Sequence, residues 1–377
     1  MELINRFFEA PKQSFFLLGP RGTGKSTFIK RAFPNALYLD LLLPDVFRNY
    51  AARPERLNEA VNAQRDKKVV VIDEIQKAPQ LLEVVHSLIE KKLGLQFILT
   101  GSSARKLRKA GVNLLAGRAL RRRMHPFMAA ELGRKFSLPK ALEVGLIPVI
   151  LGSDDLASAL QAYVDLYLKE EVQMEGLTRN IGNFSRFLEV VSFSHGAILN
   201  ISNVARECQV ERKVVEGYVG ILEDLLLAYR IPVFTRRAKR AVASHPKFYF
   251  FDAGIYNALR PSGPLDRPEE KSGVALEGLV AQHLRAWIDY RRPGSELSYW
   301  RTASGSEVDF IVYGKEVFWA VEVKNAATIH PQDLRSLKAF GDDYPQAERF
   351  IVNRGKERLV REGISIEPCV EFLMRLS

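Results

Sequence analysis

The chain has 377 residues, which is enough for two or three domains at roughly 100–200 residues each. A hydrophobic fraction of 47% supports a sizeable core and so argues against a disordered chain. Two cysteines are too few for a disulfide framework or a thiolate zinc site, which fits a reducing compartment. The formal net charge of +11 favours an anionic partner, of which nucleic acid is the commonest large one. A basic protein without such a partner is the alternative.

The sequence gives no pattern for export or membrane insertion. Its opening residues, Met1 to Asn5, lack a basic segment followed by an apolar run. No stretch of about 18 uninterrupted apolar residues occurs. We therefore expect a cytoplasmic protein with no transmembrane helix.

Strands alternate with helices in the first third of the chain. Residues 13–19, 68–73 and 95–100 are apolar runs of the kind found in buried parallel strands, and residues 81–92 have helical periodicity. This alternation predicts a parallel α/β sheet that ends near residue 135.

A phosphate-binding loop follows the first predicted strand. The segment matches the pattern G-x-x-x-x-G-K-[ST] in every fixed position. Glycines let backbone N–H groups curl around a phosphate chain, and the next helix directs its positive end at it. Lys25 is expected to reach the β and γ phosphates of ATP, and Ser26 to bind Mg²⁺. The predicted nucleotide-contacting residues of this segment are Gly19, Pro20, Arg21, Gly22, Thr23, Gly24, Lys25, Ser26 and Thr27.

Two acids end the strand at residues 68–73. We expect Asp73 to hold Mg²⁺ through water and Glu74 to orient and polarise the attacking water. Alone, an Asp-Glu pair after a strand is a surface turn, but its position about fifty residues after a phosphate loop favours ATP hydrolysis. Thr100 or Ser102, at the tip of the next strand, is a candidate sensor of the γ-phosphate, although a serine-rich turn is the alternative.

A basic cluster spans residues 116–123. Arg118 is its first candidate for a catalytic contact with the nucleotide of a neighbouring subunit. An arginine suits the nucleotide of a neighbouring subunit because its planar fork spreads positive charge over the transition-state oxygens. A solvated basic face or a DNA-facing patch is the alternative interpretation.

The middle of the chain has the element order of a winged helix. Residues 201–208 and 211–227 are predicted helices, and residues 229–234 and 248–251 are predicted strands around a basic loop at residues 236–240. The second helix is a candidate recognition helix and the loop a candidate phosphate-gripping wing. Four acids on that helix favour a structural or subunit-contact role equally well.

Four strings together resemble prokaryotic AAA-type ATPases that carry a DUF4143 C-terminal domain. The resemblance covers nearly the whole chain and implies an ATPase module, a winged helix, a nuclease-fold C-terminal domain and a ring of subunits with sites between neighbours. Its more specific parts are Asp-Glu-Ile-Gln and Leu-Ala-Gly-Arg. The strings lie at residues 19–26, 73–79, 99–103 and 115–118.

The last third contains an ordered set of acids and a lysine. Glu277 is the only polar side chain of residues 275–281, at the start of a predicted helix, and Asp309 begins a predicted strand. Glu322 and Lys324 share one face of the next strand because side chains alternate. We expect Asp309 and Glu322 to hold Mg²⁺, Lys324 to orient water, and Glu277 to complete the shell.

This pattern resembles the PD-(D/E)XK nuclease fold, which includes Holliday-junction resolvases. Val308 stands where that pattern has proline. A surface strand with alternating Glu and Lys is the alternative for the last motif, and intact motifs also persist in domains that only bind.

The sequence therefore predicts three α/β parts. These are a P-loop AAA-type ATPase domain with a parallel sheet (1–135), a helical lid and winged-helix domain (136–252), and a small restriction-endonuclease-like domain (253–377). The predicted function is ATP hydrolysis coupled to Mg²⁺-dependent cleavage of DNA, branched DNA being one candidate. The alternatives are a DNA-remodelling ATPase that does not cut and a nucleotide switch that binds a protein partner.

Overall fold

The computed structural model describes residues 4–102, 115, 117–168, 181–236, 245–264 and 266–377. They form two compact units. One comprises Phe8–His125 with Asp224–Leu226, and the other comprises Pro126–Glu223 and Leu227–Ser377 with the residues up to Phe7.

The first unit contains a parallel five-stranded sheet in the order β2-β3-β4-β1-β5. Its central strands are continuous apolar runs because helices cover both faces. The strands are β1 (Phe15–Leu18), β2 (Leu37–Asp40), β3 (Val69–Asp73), β4 (Gln96–Gly101) and β5 (Leu120–Arg123). The helices are α1 (Lys25–Ala32), α2 (Pro44–Ala52), α3 (Arg56–Ala63) and α4 (Leu81–Glu90), with a 3₁₀ turn at Ile75–Lys77.

The strand order determines which polar residues meet. β4 lies between β1 and β3, so the end of β4 separates the phosphate loop from the Asp-Glu pair. The carboxyl ends of parallel strands lie at one edge of a sheet, where ligands of α/β proteins bind. Three predicted site segments therefore share that edge.

Short helices begin the main part of the second unit, and two longer ones follow. The helices are α5 (Ala129–Leu132), α6 (Leu138–Val144), α7 (Pro148–Leu151), α8 (Leu156–Ala162), a π-helical turn (Tyr163–Leu168), α9 (Ile181–Ser192), α10 (Ile201–Cys208), α11 (Arg212–Asp224) and α12 (Ala253–Leu259), with a 3₁₀ turn at Gly133–Lys135. A three-stranded antiparallel sheet in the order β6-β8-β7 accompanies them. Its strands are β6 (Ala197–Ile198), β7 (Ala228–Ile231) and β8 (Lys247–Phe250).

A six-stranded mixed sheet occupies the end of the chain, in the order β13-β14-β12-β11-β10-β9. Its strands are β9 (Glu296–Arg301), β10 (Glu307–Tyr313), β11 (Phe318–Val323), β12 (Glu348–Asn353), β13 (Leu359–Arg361) and β14 (Ile364–Pro368). The helices are α13 (Pro268–Arg291), α14 (Arg335–Asp343) and α15 (Cys369–Arg375), with a 3₁₀ turn at Pro331–Leu334. One face carries an aromatic core that includes Trp300, Phe340 and Phe234.

Two acids of the predicted C-terminal site lie at other positions in their elements than the sequence predicts. Glu277 does not lie at a helix start, because α13 begins at Pro268, and proline suits the first helical position. Asp309 is the third residue of β10 rather than its first, because Glu307 already pairs with Arg301 of β9. Both acids therefore lie inside regular elements, which fixes their side-chain directions.

Candidate nucleotide site and carboxylate cluster

The phosphate loop joins β1 to α1, and its glycines are required by its geometry. Gly22 and Gly24 have φ of 77° and 88°, in the left-handed region that side chains rarely adopt. A Cβ on Gly19 would lie 2.4 Å from the backbone oxygen of Met124. Gly24 is the N-cap of α1, whose first turn carries no acid. The positive end of this helix is therefore not neutralised from within.

Lys25 is buried and directed back at the loop. Its Nζ donates hydrogen bonds to the backbone oxygens of Gly19, at 2.7 Å, and Pro20, at 3.0 Å. The Thr23 hydroxyl donates to the Pro20 oxygen at 2.8 Å. These bonds hold the ammonium group inside the curve of the loop.

The Asp73 carboxylate is buried and hydrogen-bonded on both oxygens. The Thr100 hydroxyl donates to Oδ1 and the Tyr38 hydroxyl donates to Oδ2. Burial, followed by the hydrogen bond to Asp73 and the Asp73 charge, raises the pKa of Tyr38. Tyr38 of β2 is therefore tied to Asp73 of the neighbouring strand β3.

Glu74 adopts a left-handed backbone conformation, with φ of 60°, immediately after β3. Its N–H donates to the Thr100 hydroxyl at 2.9 Å. Its Oε2 accepts from the Gln76 amide and, at 3.4 Å, from the Ser102 hydroxyl. The Gln76 amide also donates to Ser102 at 3.0 Å. Both candidate sensor residues thus contact the candidate water-activating acid.

Arg118 pairs through Nε with Oε1 of Glu90. This hydrogen bond, followed by the Arg118 charge, lowers the pKa of the Glu90 carboxyl. A contact with the nucleotide of a neighbouring subunit concerns a second chain, so that role of Arg118 stays a prediction. Ser103 and Ala116 lie outside the described residues.

Arg236, the first residue of the basic loop after β7, contacts residues of the C-terminal part of the chain. Arg236 Nη2 is 3.0 Å from Oε2 of Glu296, and its guanidinium lies 4.9 Å from the Tyr313 ring centroid. The Tyr344 hydroxyl donates to its backbone oxygen at 3.1 Å. Residues 237–240 lie outside the described residues, so the phosphate-gripping role of this loop stays a prediction.

The structure brings the predicted acids of the C-terminal part together. Asp309 Oδ2 accepts from the N–H of Val323 at 2.9 Å, which ties β10 to β11 beside Glu322. Lys324 Nζ is 2.8 Å from Oε1 of Glu322. Burial and then the Asp309 charge raise the pKa of both Glu277 and Glu322.

A lysine that the sequence prediction missed lies among these acids. Nζ of Lys247, the first residue of β8, is 3.2 Å from Oε1 of Glu277, 2.5 Å from Oε1 of Glu307 and 3.4 Å from Oδ1 of Asp309. Its side chain is 3% exposed. Burial lowers the pKa of Lys247, but the Asp309, Glu277 and Glu307 charges outweigh burial, so the net shift is upward.

The predicted Mg²⁺ site in this cluster does not fit the donors present. Within the described ranges, no three His, Cys, Asp or Glu side chains are arranged to hold a metal ion. The Tyr249 hydroxyl donates a hydrogen bond to Oε1 of Glu277 at 2.6 Å, and Lys247 donates to the same oxygen. Protein donors therefore already engage Oε1 of Glu277, Oδ1 of Asp309 and Oε1 of Glu322, while Oε2 of Glu322 is buried with no hydrogen-bond partner among the described residues.

Sequence reasoning missed four residues of these two sites. Tyr38 lies in β2, which was not predicted. Lys247 is the first residue of β8, which was predicted to start one residue later, and Gln76 lies in the turn after the Asp-Glu pair. Glu307 had a usable signal, because it stands two residues before Asp309 and so lies on the same face of the strand.

Three family models match successive parts of the chain. Residues 11–133 match an AAA domain (AAA_14), residues 135–266 match a domain of unknown function (DUF8612), and residues 272–372 match a second one (DUF4143). The chain therefore has an AAA domain followed by a DUF4143 domain. No curated protein matches it.

One similar solved structure is domain III of the replication initiation protein DnaA from Thermotoga maritima. It has 13% identity and a TM-score of 0.23, over 45% of this chain and 80% of that chain. At this TM-score and identity, nothing about the fold or function of this chain follows from the similarity. The AAA domain itself points to an ATPase and implies nucleotide binding with Mg²⁺. No helix in the part of the chain that the structure describes could span a membrane.

Proposed function

We propose that this protein binds and hydrolyses ATP at the carboxyl edge of its five-stranded sheet. One observation carries the proposal. Three neighbouring strands each contribute a polar group there: Lys25 after β1, Thr100 at the end of β4, and Asp73 at the end of β3. Phosphate binding, metal binding and water activation need such groups within a few ångströms of each other.

The phosphate loop would hold the triphosphate. Lys25 would exchange its bonds with the Gly19 and Pro20 oxygens for bonds with the β and γ phosphates. Backbone N–H groups from Arg21 to Thr27, at the loop and the start of α1, would supply further donors. The glycines at 19, 22 and 24 support this assignment, because a side chain at Gly19 would clash with Met124 and side chains at Gly22 and Gly24 would be strained.

The residues also fit the Mg²⁺ ion that accompanies ATP. The Ser26 hydroxyl and the Asp73 carboxylate supply hard oxygen donors, which suit this metal. When bound, Mg²⁺ neutralises phosphate charge and orients the β and γ groups. The Tyr38 hydroxyl, which donates to Oδ2 of Asp73, would give up this bond when the metal binds.

Glu74 would orient the attacking water and accept its proton. Its contacts with Ser102 and Thr100 would couple its position to the γ-phosphate that those hydroxyls sense. Arg118 would act on the site of a neighbouring subunit in a ring-shaped homo-oligomer. Exchange of the Glu90 ion pair for this contact would accompany assembly.

For the rest of the chain we propose a winged-helix domain and a nuclease-like DUF4143 domain, divided near residues 135 and 252. The order α9, β6, α10, α11, β7, β8 and the sheet order β6-β8-β7 support the winged helix. A mixed sheet with a long helix and acids on adjacent strands supports the nuclease-like fold.

We propose DNA as the partner, on the basis of the +11 charge. Metal-dependent cleavage by Asp309, Glu322 and Lys324, with Glu277, stays a prediction from the sequence. The Lys247 contacts favour the alternative, a DNA-remodelling ATPase that does not cut.

The test is phosphate release from ATP and Mg²⁺ by the parent protein and by Lys25→Ala, with exposed Lys91→Ala as the matched control. Release by the parent and the control but not by Lys25→Ala supports the proposal. Equal release by all three would refute it. Single-stranded, duplex and four-way-junction DNA added to the parent then separate a DNA-stimulated ATPase from a switch that binds protein.

A further inference from the structure

The Lys247 ammonium group has as many N–H donors as it has carboxylate neighbours. An ammonium group has three N–H donors and no acceptor. Three carboxylates lie within ion-pair distance of its Nζ, from Glu277 on α13 and from Glu307 and Asp309 on β10. Each donor therefore has one carboxylate partner, and the group is buried.

The remaining charges of the cluster are also paired. Arg301 Nη1 is 3.3 Å from Oε2 of Glu307, and Lys324 Nζ is 2.8 Å from Oε1 of Glu322. Four carboxylates thus face three cationic side chains. A divalent ion beside a buried ammonium group would meet strong repulsion, because the local dielectric is low.

We propose that Lys247 is a tethered cation that takes the position of a divalent metal among the carboxylates of the C-terminal domain. While Lys247 is in place, the domain does not bind Mg²⁺ or Mn²⁺ at Glu277, Asp309 and Glu322. The lysine belongs to β8 and the acids to α13, β10 and β11. The cluster therefore joins the three-stranded sheet to the six-stranded one through charge rather than supporting metal chemistry.

The geometry explains why such a lysine is retained. Glu277 also accepts the Tyr249 hydroxyl from the same strand, so two side chains of β8 contact one carboxylate. Removal of Lys247 alone would leave buried carboxylates without their cation, which strongly destabilises a fold. A charge-matched variant limits this effect, because it removes one acid together with the base and leaves the net charge of the cluster unchanged.

The test measures Mn²⁺ bound by the full-length chain without nucleotide, by electron paramagnetic resonance. The variants are Asp309→Asn and the charge-matched double variant Lys247→Met with Glu307→Gln, which keeps all three predicted ligands. Lys338→Met, at an exposed lysine that pairs with Glu362, is the control. We expect the parent, Asp309→Asn and the control to bind equal amounts, and the double variant to gain about one Mn²⁺ per chain.

Two results would overturn the proposal. If Asp309→Asn binds one Mn²⁺ fewer than the parent, the acids already hold a metal beside Lys247. If the double variant is folded by circular dichroism and gains no Mn²⁺, the lysine is not what excludes the metal. The first comparison does not depend on any Lys247 variant, so it holds even if the double variant fails to fold. ATP turnover is independent of both results, so the ATPase proposal is tested separately.

Discussion

Replacement of Thr100 by valine should remove the hydrogen bond that ties the Glu74 N–H to β4, without changing the shape of the core. The Thr100 side chain is fully buried, and its hydroxyl serves the Glu74 N–H and the Asp73 carboxylate at once. Valine fills the same volume but makes neither bond.

The expected magnitude follows from the backbone of Glu74. Its left-handed conformation costs roughly 1–2 kcal/mol for a residue with a side chain. A hydrogen bond contributes about 1 kcal/mol, which is similar in size, so its loss makes other Glu74 conformations competitive. We expect kcat for ATP hydrolysis to fall about tenfold, which corresponds to about 1.4 kcal/mol, with KM for ATP within about twofold.

The assay is steady-state phosphate release at saturating Mg²⁺, with Thr100→Ser as the matched control because it keeps the hydroxyl. Thr100→Ser should retain most of the parent kcat. Chemical denaturation should show an unfolding free energy about 1–3 kcal/mol lower for Thr100→Val, since a buried N–H loses its partner. A folded Thr100→Val with the parent kcat would refute the coupling of Thr100 to Glu74.

Three further predictions concern Tyr38, His195 and Gly254. Tyr38→Phe should lower the Mg²⁺ concentration that half-saturates turnover, by up to roughly tenfold, because the metal no longer competes with the phenol for Asp73. A higher half-saturating concentration would contradict this. Burial lowers the pKa of His195 to about 3, from an unfolded value near 6.5, so its contribution to the unfolding free energy is complete above pH 6.5 and is lost towards pH 3. Between pH 6 and 4 the unfolding free energy of the parent should therefore fall by about 1.4 kcal/mol per pH unit more than that of His195→Phe. Equal pH slopes in chemical denaturation would contradict this. Gly254→Ala should lower the unfolding free energy by roughly 1–3 kcal/mol, because its Cβ would lie 2.3 Å from the carbonyl carbon of Val144, and an unchanged midpoint would contradict this.

The parallel sheet was predictable because its strands are fixed by local signals. Residues 68–73 form a β-branched run that ends in acids, and the phosphate loop leaves little choice for the strand before it and the helix after it. The AAA and DUF4143 matches agree with the family resemblance of the sequence. The order β2-β3-β4-β1-β5 was not predicted, because no local pattern sets the pairing of distant strands.

The carboxylate cluster was predictable only in part. The spacing of Asp309, Glu322 and Lys324 follows from the alternation of side chains on strands, and Glu277 was noted as a lone acid in an apolar segment. Lys247 was not assigned to the cluster, because its contacts join residues 30 to 62 positions apart in the chain. A lysine before an aromatic strand has no local signal that distinguishes a buried counter-ion from a solvated side chain.

The central claim is that Glu74 activates water for ATP hydrolysis at this site. Its most direct test compares ATP binding and turnover for the parent and Glu74→Gln, which keeps the size of the side chain and removes its charge. The account predicts an ATP Kd within about threefold of the parent and a turnover at least about 100-fold lower, the usual size of a general-base contribution. Turnover by Glu74→Gln at the parent rate would contradict it.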